Sequence, residues 1–84
     1  MTIAMKNVLE LFIKNDVSVT TMHDVMSDLH DVETWQRVLN AYKERNMHDC
    51  ARRSQEHLEE AKEECRRTLF CAGIEYTIEE LLNL

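Results

Sequence analysis

The sequence predicts an all-α fold, a small bundle of about four to five helices in a single domain spanning residues 1–84. Three observations lead there. Proline is absent and glycine occurs once, while Leu, Glu, Met, Ala and Arg are abundant, a composition that favours helix. Apolar residues recur at three- and four-residue spacings along the chain. Residues 49–72 run without a helix breaker and stop at Gly73, where a long helix needs a left-handed residue. As a helix, that stretch is about 36 Å long.

The first helix is expected from about Thr2 to Lys14. Met5, Val8, Leu9 and Phe12 share one face, and Ile3, Leu11 and Ile13 widen it, so the periodicity predicts a helix central to the core. Asn15 and Asp16 end it, and Val17 and Val19 suit a short extended connector. Thr20 or Thr21 then caps a second helix whose inner face is Met22, Val25, Met26 and Leu29. His23-Asp24-Val25 echoes as His30-Asp31-Val32 seven residues later, two helical turns on, which sets like on like along one helix.

Asp31 is a cap for a third helix carrying Trp35, Val38, Leu39 and Tyr42 on its buried side. Nothing between Met22 and Arg45 forbids one continuous helix, but two helices bury the Met22 and Trp35 stripes together more easily. Asn46, three residues before Asp49, reads as the cap of the long helix, with a turn at 46–48. The seam of that helix is Ala51, Ser54, Leu58, Ala61, Cys65, Thr68 or Leu69, and Ala72, a heptad-like register of mostly small residues. Beside helices of about 9 to 14 residues, such a strut cannot be covered along its length within one chain. The expected arrangement is therefore a homodimer, with Ala51, Ser54, Leu58, Ala61, Cys65 and Leu69 as its seam.

At the far end of the strut, Gly73 takes positive φ and Ile74 meets Leu69 across a Schellman turn. Thr77 and Glu80 form a capping box, with Tyr76 and Leu81 at hydrophobic-staple positions. A short terminal helix, 78–83, returns Leu81, Leu82 and Leu84 to the core.

Composition narrows the function. Net charge is −6, from 10 basic and 16 acidic side chains, and neither half of the chain has a basic excess. Phosphate-backbone binding is thus not expected to be the main source of affinity. An acidic surface could mimic DNA, but Arg37, Arg52, Arg53, Arg66 and Arg67 interrupt it. No apolar run is long enough to span a bilayer, and the start lacks the basic flank and cleavage site of a signal peptide. A cytoplasmic protein is expected.

Cys50, Cys65 and Cys71 are odd in number and share one predicted helix. Cys50 and Cys65 are about 22 Å apart at helical rise, too far to bridge, so free thiols are expected. His23, His30, His48 and His57 lack the paired spacing of a structural zinc site. No glycine-rich phosphate loop and no nucleophile elbow occurs, and Glu59, Glu60, Glu63 and Glu64 fit a solvated helix face. No cofactor, no metal and no enzymatic activity are expected.

Thr21-Met22-His23-Asp24-Val25, followed by the stretch from Asp31 through Trp35, Gln36, Arg37, Val38 and Leu39 to Asn40, resembles the DNA-binding segment of bacterial repressors of the LacI type. The resemblance covers about 20 residues. The stretch is one residue shorter between Val25 and Arg37, and His30-Asp31 stands where glycine is usual. It implies a helix-turn-helix regulator over residues 21–45 with Gln36, Arg37, Asn40 and Lys43 facing the major groove. Asp28, Asp31 and Glu33 would repel phosphates at the entry of that recognition helix. The preferred reading is a non-enzymatic protein that binds another protein: an adaptor, inhibitor or regulatory accessory factor of the kind phages and mobile elements encode. Its expected partners are a second copy and an unidentified protein, with neither membrane nor nucleic acid.

Overall fold

The computed structural model describes residues 3–84, with side chains from residue 5 onward. The expected helix start at Thr2 and the placing of the Ile3 side chain lie outside the described residues. Four helices follow in order: α1 (Ile3–Lys14), α2 (Val19–Glu44), α3 (His48–Cys71) and α4 (Ile78–Leu82). There is no strand among the described residues. The molecule is elongated, 44 × 24 × 18 Å, because its body is an antiparallel hairpin of two long helices.

The largest departure from expectation is α2. It is one unbroken helix of 26 residues, where the residues allowed one helix and favoured two, and Asp31 is exposed in its interior rather than a cap. A cap contributes about 1 kcal/mol, whereas the 24-residue α3 presents a seam that only a partner of equal length covers. Stopping α2 at Asp31 would leave half of that seam wet. The start of α2 moves as well. Ser18 is its cap and accepts a hydrogen bond from the Thr21 N–H at 3.2 Å, so neither Thr20 nor Thr21 caps it and Val19 is already helical.

The core runs along the hairpin. Val25, Leu29, Val32 and Leu39 of α2 are buried with Ser54, Leu58, Cys65 and Leu69 of α3. Val25 and Val32, the two valines of the seven-residue echo, therefore sit on the inner face one above the other. Trp35 and Met22 pack partly buried against this cluster. Thr68 Oγ1 donates to Asp28 Oδ2 at 2.6 Å, a polar tie across the hairpin, and Ser54 Oγ donates to the Cys50 carbonyl within its own helix.

α1 is not central. It lies against α2 and α4 at the side of the hairpin, burying Met5, Val8 and Phe12. Ile13, expected to widen the apolar face, is exposed. α4 buries Ile78 and Leu81. Leu84 stays exposed instead of returning to the core, and its carbonyl accepts from Asn7 Nδ2 at 2.9 Å, tying the terminus to α1.

Three helices end in the same motif. After α1, the Val17 N–H donates to the Phe12 carbonyl and the Asp16 N–H to that of Ile13. After α2, Met47 and Asn46 donate to Tyr42 and Lys43; after α3, Ile74 and Gly73 donate to Leu69 and Phe70. Each is a Schellman turn, with Asp16 (φ 56°), Asn46 (φ 56°) and Gly73 (φ 71°) left-handed. Asn46 thus closes α2 and does not cap α3, whose cap position is Met47, without a side-chain cap bond. The Gly73 turn and the Thr77–Glu80 capping box form as the residues predict.

Candidate functional site

The hairpin has a closed end, where residues 45–47 join α2 to α3, and an open end, where the connection into α2 meets the connection out of α3. Two Schellman turns shape the open end, one at Asp16 and one at Gly73. Between them lies an open groove of about 790 Å³, drawn from residues 12–21 on one side and 72–80 on the other. Phe12, Val17 and Ile74 supply its apolar lining, and Ser18 and Thr21 supply hydroxyls. Its charged lining groups are Asp16, Glu75 and Glu80, all carboxylates.

Among the described residues, four of the six large apolar side chains left in solvent belong to segments at this end, the others being Met47 at the closed end and Leu84. Phe70 is 85% exposed, Val19 78%, Ile13 58% and Tyr76 40%. Ile13 ends α1, Val19 begins α2, Phe70 lies in the last turn of α3, and Tyr76 immediately precedes the Thr77 cap. All four flank the open end. Scattered single apolar residues are ordinary on protein surfaces, but a concentration at one place marks a contact surface.

The residues singled out by sequence lie elsewhere. Ser54, Leu58, Cys65 and Leu69 are buried, and Ala51 and Ala61 half-buried, against α2 of the same chain. The premise that no helix in the chain is long enough to cover the seam fails because α2 is slightly longer than α3. A second copy is not needed to cover it.

The turn required by a helix-turn-helix does not form at His30–Asp31, since α2 continues through it. Gln36, Arg37, Asn40 and Lys43 are exposed on that continuous helix. Gln36 Nε2 donates to Asn40 Oδ1 at 3.0 Å, and Arg37 pairs with Glu33 at 3.6 Å. They share a helix surface without a recognition helix to carry it into a groove.

The remaining reactive groups are dispersed. Among the described residues no three His, Cys, Asp or Glu side chains gather as a metal would require. His57 stacks on Trp35, ring centroids 4.5 Å apart and 17° from parallel, a contact between α2 and α3 that sequence spacing could not reveal. The three cysteines are free: Cys71 exposed, Cys50 half-buried and Cys65 buried. Burial, with a smaller push from the Asp28 carboxylate, raises the Cys65 thiol to about 12 against a slight lowering by Arg66, so it is an inert core thiol. No helix of the described residues is long and apolar enough to cross a membrane.

The open-end groove was missed by sequence reasoning because its two halves are some 60 residues apart along the chain. The one available signal was that Asp16 and Gly73 both fall at helix stops. Comparison with protein-family models, with curated proteins and with solved structures yields no match.

Proposed function

We propose that this chain is a non-enzymatic protein-binding module, an adaptor, inhibitor or regulatory accessory factor, that presents the open end of its hairpin to another protein. The observation that carries the reading is the exposure of Phe70, Val19, Ile13 and Tyr76 in the segments that meet at the open end, where Tyr76 lines the groove. Burying such side chains against a partner releases roughly 25 cal/mol for each Å² of apolar surface removed from water, and aromatic anchors dominate contacts of this kind. The long hairpin serves as the rigid support. Its seam is occupied by its own two helices, so the contact with a partner is made at the end of the rod.

Photo-cross-linking in the native cell tests this. A benzophenone amino acid at position 70 or 76 should give discrete higher-mass adducts, while the same probe at Glu63, on the solvated face of α3, should give none. Equal labelling at all three positions, or none at 70 and 76, would remove the reading. The same proposal expects no steeply salt-dependent retention on duplex DNA, the behaviour of a protein that neutralises phosphates.

A further inference from the structure

We propose that the open-end groove takes a cationic peptide segment of another protein, one that carries an apolar anchor between lysines or arginines. The inference rests on the protein-binding reading above and specifies the partner's chemistry.

Charge argues first. The groove is lined by Asp16, Glu75 and Glu80 and by no basic side chain, in a chain of net charge −6. α3 ends at this groove without a basic residue in its last turn, so the carbonyl end of its dipole adds negative potential. The amide ends of α2 and α4, which also open here, oppose that potential, so the side-chain carboxylates set the sign of the groove. Lys14 is the cation of the last turn of α1, but it does not line the groove. Complementary charge across such a surface steers encounter and selects partners.

Shape argues second. The half-buried Val17 and Ile74 and the exposed Tyr76 give the groove its accessible apolar lining, with Phe12 buried beneath. A long apolar side chain from a partner would find contact there, while flanking ammonium or guanidinium groups would meet the carboxylates. A small molecule fits less well, since such ligands favour enclosed, mostly apolar cavities.

A second copy of this chain is the competing occupant. A two-fold contact through this end would set the same three carboxylates of each copy against one another, which like-charge repulsion opposes.

The test is selection of random peptides of about a dozen residues, displayed on phage, against the immobilised full chain. A parallel selection uses the triple variant Asp16→Asn, Glu75→Gln, Glu80→Gln. These changes keep the fold, because asparagine accepts the left-handed conformation at 16 and glutamine serves in a capping box. Enriched peptides should carry net positive charge and at least one large apolar residue. Their affinity should fall roughly tenfold on the triple variant and weaken steeply with salt.

Enriched peptides that are neutral or acidic, or that bind the triple variant unchanged, would overturn the inference. If such peptides still lose binding on Phe70→Ser or Tyr76→Ser, the protein-binding reading stands and only the cationic partner falls. No enrichment over the bare surface would overturn both. A dimer in sedimentation that dissociates on Tyr76→Ser would replace the cationic segment with a second copy.

Discussion

At the closed end of the hairpin Asn46 takes φ 56°, and at the open end Gly73 takes φ 71°. Both sit in Schellman turns, the following residue donating back to the backbone carbonyl of Tyr42 at one end and of Leu69 at the other, each at 3.0 Å. What comes next differs. Beyond Asn46 the chain re-enters a helix within two residues, with no side chain capping α3. Beyond Gly73, residues 74–76 lead without regular secondary structure to Thr77, whose capping box starts α4, and they form one wall of the groove. The stop geometry is shared; what differs is that the chain after Asn46 turns back along the same hairpin, whereas after Gly73 it leaves the hairpin for α4.

Both ends hang on the interface between them, so the largest effect should come from its middle. Leu58 is 2% exposed, and Leu58→Ala should destabilise by about 2–5 kcal/mol in denaturant unfolding. A loss under about half a kcal/mol would mean that the two helices do not pack there, and the comparison of the ends would lose its common support.

Cys65, two turns closer to the open end, offers a pH probe of the same interface. The unfolded thiol ionises near 9.0, whereas the folded one keeps its proton to about 12. The unfolded state therefore loses its proton first, and this contribution to stability declines as pH rises through that window. The melting temperature should fall more between pH 8 and 11 for the native chain than for Cys65→Ala. Parallel curves would place this thiol in water.

The open end should be more sensitive than the closed one. A Cβ at Gly73 would meet nothing within 4 Å, so Gly73→Ala suffers only the backbone cost of positive φ, about 1–2 kcal/mol. Alanine is the better helix former, so a rise in stability would show α3 running on past residue 73. Thr77→Ala should cost about 0.5–2 kcal/mol, typically 1, through loss of the α4 cap. Since both changes act on one connection, their sum should exceed the effect of the double variant.

The smallest effect belongs to the closed end. Asparagine already tolerates the left-handed region, so Asn46→Gly should shift stability by no more than a few tenths of a kcal/mol, the strain relieved being offset by the added freedom of the unfolded chain. A gain as large as the loss at Gly73→Ala would show that Asn46 is strained and that the two stops are not equivalent.

Much of this molecule was legible in the residues. The all-helical class, the extent of α3 to within a residue, the Gly73 turn, the Thr77–Glu80 box and the inward faces of α1 and α3 follow from periodicity and capping chemistry, which act over four or five neighbours. Reading failed where a local signal competed with a distant one. Asp31 carries the preference of a cap, yet α2 runs through it because α3 needs cover along its whole length. Asn46 resembles a start and serves as a stop, since a polar residue between two helices suits either role and the register of the next helix decides. The small-residue seam announces a partner without saying whose, and only the length of α2 assigns it to the same chain. The groove lay furthest from view: Asp16 and Gly73 are each readable as helix ends, but their meeting depends on the antiparallel course of α2 and α3, which no run of neighbouring residues encodes.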